Sequence, residues 1–282
     1  MTALKTRFIS NIAISIQDKN GKLLATDNGN YAVNLVYAAK YKKGDTITLT
    51  SKPGSFLVIQ LDDVLAPSFV YMKGANYTLP IPFCEDRLAY NSKTFNGDIH
   101  LLKARLAERC EIESRKNLAL NHHDTVSAKN VCYPHASANN ETSEKSSFAS
   151  RNAIDGNTEN RSYGNWPYES WGLNSDQNAE LTLEFGRAVK MDKLVLVPRA
   201  DFPHDNYWQH VTVTFIAPDG TEQSRTLNLE KSYLPQEWNF STSPKVVTAL
   251  KLGNFKTDEN EPSKISALTQ IEVWGTAAKK IE

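Results

Sequence analysis

The chain has 282 residues and a mass of 31.6 kDa, which suits one large domain or two ordinary domains. Hydrophobic residues make up 40% and charged residues 23%, a composition typical of globular proteins and not of disordered ones. Lysine plus arginine equals aspartate plus glutamate at 32 each, so the chain lacks the basic field that favours binding to nucleic acid or to an anionic membrane.

Targeting signals and cysteine motifs are absent from the sequence. It has no apolar run of about 18 residues, and its N-terminal stretch lacks a small-residue cleavage site. We therefore predict a cytoplasmic protein. Cys84, Cys110 and Cys132 are widely spaced and form neither a disulfide framework nor a CxxC motif. This predicts reduced, mostly buried thiols.

The first hundred residues alternate between apolar and polar side chains, as half-buried strands do. Residues 8–16 (FISNIAISI) show this pattern first, and 31–37, 45–50 and 55–63 repeat it between turn signals. Several short strands at close intervals predict a β-sandwich. Residues 77–83 (YTLPIPF) contain two prolines, which indicates an edge strand or a linker on the surface.

Residues 99–112 (IHLLKARLAERCEI) allow two interpretations. Leu102, Leu106 and Cys110 recur at the spacing of one helix face, which predicts a helix. The same segment is also compatible with a long strand that has a polar face.

The second half of the chain has a different composition. All five tryptophans follow a polar stretch that begins after residue 116, and strand patterns resume at residue 179. We place a domain boundary near residue 115 and predict an N-terminal β-sandwich over 1–115 and a second over 116–282. The fold class is therefore all-β. The N-terminal half is expected to contact the second half and to share a binding cleft with it, or to mediate self-association into a homo-oligomer through a sheet edge.

Five segments of the second half resemble the coagulation factor V/VIII type C (discoidin-like) domain, in the order that this family shows. These segments are residues 117–121 (NLALN), 152–157 (NAIDGN), 179–186 (AELTLEFG), 193–201 (KLVLVPRAD) and 268–275 (LTQIEVWG). The resemblance implies a galactose-binding-like jelly roll. Residues 199–208 (RADFPHDNYW) also resemble bacterial two-domain proteins grouped as carbohydrate binders.

The resemblance also implies a structural Ca²⁺ ion. Its ligands would be Asp155, backbone oxygens at Asn152 and Asn157, and the closing strand around Thr269 and Gln270. Many relatives have glutamate in place of Gln270, so this site has one negative charge fewer. The alternative is a turn that Asp155 holds by hydrogen bonds without an ion.

Two polar and aromatic segments, residues 165–171 and 199–208, are candidates for a sugar site. An aromatic ring covers the apolar face of a sugar, while donors and acceptors bind its hydroxyls. The family implies Arg199 as a fork for hydroxyls. The aromatic chemistry of Trp208, Trp166 and Tyr168 makes each of them a candidate for the stacking platform. Alternatively, Arg199 braces its loop, and Trp171 is a core aromatic. The full predicted set is Arg199, Asp201, His204, Asp205, Asn206, Trp208, Trp166 and Tyr168.

Catalytic motifs are missing from the sequence: it has no GxSxG, no HExxH and no glycine-rich phosphate loop. His122 and His123 are adjacent and would point to opposite faces of an extended chain, which disfavours a shared metal. We predict non-catalytic, lectin-like binding of a mono- or oligosaccharide, with no nucleic-acid partner and no membrane. An auxiliary protein-interaction subunit of a sugar-processing enzyme is the alternative, and a glycoside hydrolase is a third reading.

Overall fold

The computed structural model describes residues 12–127, 130–141, 146–172, 178–199, 206–257, 259–260 and 266–278. Within these ranges the protein is all-β, as predicted. Eighteen strands form three antiparallel sheets, and the helices are one α-helix of five residues and three short 3-10 helices. None of the helices in the described ranges has the length and apolar character of a membrane span.

The N-terminal part is a sandwich of two sheets. Its own strands are β1 (Ile12–Gln17), β2 (Leu23–Gly29), β3 (Ala32–Tyr37), β4 (Thr46–Ser51), β5 (Ser55–Gln60), β6 (Ser68–Met72), β7 (Asn76–Pro80) and β8 (His100–Leu106). One sheet has the order β2-β1-β4-β7, and the other contains β6-β5-β8-β3. Alternate residues of each strand point inward, and the inner faces share one apolar core.

The helix predicted over residues 99–112 is wrong for the first half of that segment. Strand β8 occupies it instead, because Leu102 and Ala104 alternate with more exposed neighbours and fill the sandwich core. A short helix, α1 (Arg109–Glu113), follows. The thiols are free, as predicted, but Cys84 and Cys110 are exposed, so the expectation of mostly buried cysteines is wrong.

The second half of the chain builds a nine-stranded sheet around its own core. Its nine strands are β9 (Lys116–Asn117), β11 (His135–Ala138), β12 (Trp171–Gly172), β13 (Leu181–Arg199), β14 (Trp208–Ile216), β15 (Glu222–Asn228), β16 (Gln236–Asn239), β17 (Lys245–Thr257) and β18 (Ala267–Ala277). The remaining strand, β10 (Cys132–Tyr133), lies outside this sheet. The long strand β13 pairs with four other strands of the sheet, namely β11, β16, β17 and β18.

Residues 121–133 connect the two cores. Strand β10 pairs with β6 and so adds a fifth strand to the second N-terminal sheet, and Cys132 lies in the N-terminal core. His123 accepts a hydrogen bond from the backbone N–H of Leu61 through Nε2, and its carbonyl oxygen accepts one from the Tyr77 hydroxyl. The cores are therefore joined by backbone pairing as well as by side chains, and the boundary near residue 115 stays a prediction.

Candidate functional site

A cavity of about 230 Å³ lies between the N-terminal sandwich and the second half of the chain. One wall comes from the loop after β5 and from the residues around the end of the 3-10 helix Cys84–Ala89. The opposite wall comes from the 3-10 helix Ser150–Ile154, the turn that follows it, and the loop before β12. The polar and aromatic side chains that line it are Tyr90, Asn91, Thr94, His122, Arg151, Asp155, Asn157, Trp166 and Glu169.

A tight turn brings Asp155 to this cavity. The carboxyl of Asp155 accepts a hydrogen bond from the N–H of Asn157 at 2.9 Å, which is the self-held turn considered from the sequence. Gly156 has φ of +85°, and a Cβ there would lie 2.7 Å from the His122 ring. His122 in turn donates to the backbone oxygen of Asp155. Only glycine fits this close approach.

Glu169 faces Asp155 across the turn. The side-chain amide of Asn157 holds it by donating to Glu169 Oε1 at 2.8 Å and to the Pro167 carbonyl at 2.7 Å. The other oxygen, Oε2, is buried and has no N–H or hydroxyl donor within the described residues. The carboxyls of Asp155 and Glu169 interact with each other, and a direct hydrogen bond between them requires one of the two to carry the proton.

Burial keeps the pKa values of this pair above their usual range, and the charge of Glu169 adds to the shift of Asp155. Desolvation, followed by the charge of Glu169, raises the pKa of Asp155 well above its ordinary value. Desolvation also raises the pKa of Glu169. The guanidinium of Arg151 opposes both shifts and lies 4.3 Å from the centre of the Tyr90 ring. The pair therefore shares one proton beside a fixed cation.

Trp166 supplies the aromatic face of the cavity. Its side chain is 43% exposed, and its backbone N–H donates to the Leu88 carbonyl of the N-terminal part at 2.8 Å. Of the three predicted platforms, Trp166 is the one that lines the cavity. Tyr168 is half-buried in the same loop and is not part of the lining.

The prediction that Trp208 is a stacking platform is wrong. Its side chain is 1% exposed and packs 4.5 Å from the Phe255 ring, between centroids, in the core of the second half. Trp171 is a core residue, as the sequence indicated, and contacts the same phenylalanine. Both tryptophans stabilise the fold instead of presenting a face to a ligand.

Arg199 is 2% exposed and serves the loops around it. Its Nη1 donates to the Ser170 hydroxyl at 3.1 Å, and its guanidinium lies over the rings of Phe148 and Tyr163. This placement matches the bracing role and contradicts that of an exposed fork for hydroxyls. Asn206 is also buried, with its side-chain oxygen bonded to the N–H of Tyr207. Asp201, His204 and Asp205 lie outside the described residues.

Protein groups bind the side-chain oxygens of three residues of the predicted calcium site, although the prediction at Asn152 and Asn157 concerns their backbone oxygens. Asn152 accepts from Arg151, Asn157 accepts from the N–H of Glu159, and Gln270 accepts from the N–H of Gly156. Thr269 Oγ1 is buried without a hydrogen-bond partner among the described residues. The second carboxyl beside Asp155 is Glu169, which the sequence did not indicate because it comes from another loop.

Comparison with known proteins gives matches in solved structures alone. No family model and no curated protein matches the chain. The family 32 carbohydrate-binding module of Clostridium perfringens NanJ, in complex with galactose, is 19% identical at a TM-score of 0.38 and covers 49% of this chain and 91% of its own. The lectin domain of lectinolysin, complexed with Lewis b antigen, is 18% identical at a TM-score of 0.43 and covers 57% and 98%.

The family 32 carbohydrate-binding module of Streptococcus pneumoniae EndoD is 9% identical at a TM-score of 0.41, and it covers 51% of this chain and 97% of its own. These three sugar-binding modules each match about half of this chain. At such identities and TM-scores, the likeness transfers neither a ligand nor a site residue to this protein.

Proposed function

We propose that the protein binds a carbohydrate in the cavity between its two halves and does not transform it. The observation that carries this proposal is that Trp166 and a group of fixed polar side chains line one small cavity. An indole ring covers the C–H face of a sugar, while the carboxyl, amide and guanidinium groups bind its hydroxyls.

The size of the cavity favours one sugar unit as the bound portion. Its volume of about 230 Å³ lies below the range of roughly 300–1,000 Å³ that drug-sized ligands occupy. Because Trp166 is 43% exposed, the cavity opens to solvent at that side chain. A monosaccharide or the terminal unit of an oligosaccharide fits this arrangement.

The carboxyl pair supports binding without hydrolysis. Glycoside hydrolases hold their two carboxyls about 5–5.5 Å apart when they retain configuration and about 6.5–9.5 Å apart when they invert it. Asp155 and Glu169 interact directly with each other, whereas the two carboxyls of a hydrolase are held apart on either side of the scissile bond. Their shared proton instead gives the site both a donor and an acceptor for hydroxyl groups.

Replacement of Trp166 by alanine tests the proposal. We expect a panel of mono- and oligosaccharides to include one that binds in titration calorimetry, and we expect Trp166→Ala to weaken that binding at least tenfold with little change in melting temperature. Tyr31→Ala is the matched control, because Tyr31 is a 75% exposed aromatic residue outside the cavity lining. Equal sugar affinity in Trp166→Ala would refute this location. If no sugar binds, the interaction-subunit alternative gains weight.

Calcium at the Asp155 turn is a separate part of the proposal. Two facing carboxyls are ligands that a hard cation accepts, so Asp155 and Glu169 would hold the ion and its role would be to fix the loops. The guanidinium of Arg151 competes with the ion for both carboxyls. A calcium titration after chelation, monitored by thermal unfolding, decides whether Ca²⁺ displaces the shared proton.

A further inference from the structure

A second group of ligand-type side chains lies in the N-terminal sandwich and shares no residue with the carboxyl pair. Asp62 and Asp63 follow strand β5, and His100 opens strand β8. His100 is 1% exposed, and neither ring nitrogen has a hydrogen-bond partner within the described residues. Buried polar atoms are nearly always satisfied, and leaving one unpaired costs roughly 1–3 kcal/mol. The imidazole therefore requires an explanation.

The three side chains converge. One ligand atom from each of Asp62, Asp63 and His100 lies within 4.8 Å of the others. Around a tetrahedral Zn²⁺ ion, ligand atoms lie about 2.0–2.2 Å from the metal and hence roughly 3.4 Å from one another. Small side-chain rotations bring the ligand atoms from separations of up to 4.8 Å to this distance. Asp63 is exposed and can rotate the most.

Surrounding groups hold the two buried ligands in place. The carboxyl of Asp62 accepts backbone N–H bonds from Val64 at 2.9 Å and from Phe95 at 2.8 Å, which fixes its orientation and leaves lone pairs on both oxygens. The His100 ring lies 4.2 Å from the Tyr41 ring, between centroids. Such support is what orients metal ligands in proteins.

We propose that Asp62, Asp63 and His100 form a binding site for a divalent transition metal of the Zn²⁺ type. The donor set decides the class of metal: one imidazole nitrogen and two carboxylates suit Zn²⁺, whereas Ca²⁺ takes six to eight oxygen ligands. Two carboxylates also balance the charge of a divalent ion. The fourth position is left for water or for the hydroxyl of Tyr41, which is buried and has no partner within the described residues.

An experiment with Zn²⁺ as the probe separates this site from other metal binding. The purified full chain is stripped with EDTA, dialysed and titrated with ZnCl₂ in a calorimeter, with CaCl₂ as the comparison. We expect one Zn²⁺ per chain, a rise in melting temperature on binding, and no comparable effect of Ca²⁺. With Co²⁺ in place of Zn²⁺, visible absorption of a tetrahedral site should appear.

Two substitutions test the assignment. Asp63→Asn changes an exposed ligand, so the fold should persist while zinc affinity falls at least tenfold. His100→Phe keeps an aromatic ring against Tyr41 and should abolish the site; should this variant fail to fold, Asp63→Asn decides alone. Asp98→Asn, an exposed aspartate outside the group, is the control and should bind like the wild type. Absence of zinc binding in the wild type, or unchanged affinity in Asp63→Asn, would overturn the proposal.

Discussion

The carboxyl pair of Asp155 and Glu169 makes stability depend on pH in an unusual direction. Both pKa values are raised in the folded protein, so the native state binds more protons than the unfolded chain does. The contribution of this pair to stability is therefore greatest below the ordinary carboxyl pKa and is lost as pH rises through the folded pKa values. Each unit of upward shift costs about 1.4 kcal/mol once the group must ionise.

Replacement of Glu169 by glutamine isolates this effect. The glutamine amide can still pair with Asp155, but it carries no charge, so we expect the free energy of unfolding to fall less between pH 5 and pH 8 than in the wild type. Urea unfolding at several pH values measures the difference. Glu85→Gln, at an exposed position with an ordinary environment, is the control. If Glu169→Gln and Glu85→Gln both show the same pH dependence of unfolding as the wild type, Asp155 and Glu169 do not share a proton.

Trp171, in strand β12, and Trp166, in the loop before it, separate stability from binding within six residues of the chain. Trp171 is 1% exposed and packs against Phe255, so Trp171→Ala leaves a large void in the core. We expect it to lower the free energy of unfolding by roughly 3–5 kcal/mol. Trp166→Ala removes a half-exposed ring and should change it by less than about 1 kcal/mol. Chemical denaturation of both variants checks this, and a similar cost for the two would contradict the assigned roles.

At the scale of elements, the turn after the 3-10 helix Ser150–Ile154 holds the site together. Gly156→Ala places a methyl group against the His122 ring at a left-handed backbone position. We expect a loss of roughly 1–3 kcal/mol in stability together with weaker ligand binding, because Asp155 moves with the turn. Gly220→Ala is the control: its φ is +84°, but no atom lies near its Cβ position. A loss no larger than that of the control would show that contact with His122 is unimportant.

The sequence predicts strands better than it predicts the site. Alternation identifies β1, β4 and β5 because one face of each is buried, and β8 competes with a helical pattern that only packing resolves. The cavity wall combines His122, Asp155 and Glu169 from three separate segments. Their proximity depends on loop geometry, which no local pattern encodes. Arg199 follows a family position and Trp208 has an amphipathic side chain suited to a sugar, yet both are buried.

At the scale of the whole molecule, residues 121–133 join the two cores through strand β10 and the hydrogen bonds of His123. We expect calorimetry to show one cooperative unfolding transition, because loss of either core removes partners from the other. Two separated transitions would contradict this expectation and favour independent domains. A chain cut at residue 115 should leave the N-terminal sandwich less stable than it is in the full protein, because it lacks β10.

The cavity between the halves also limits how this protein can be reused. Most of its polar side chains belong to the second half, whereas residues 64–66, 89–91 and 94 of the first half complete the enclosure. A second half grafted onto an unrelated enzyme as an affinity tag would carry Trp166 without the surface that faces it. Recombination between homologous genes near residue 115 would separate the two walls of the cavity. Ligand preference would therefore pass to a new protein only when it inherits both halves together.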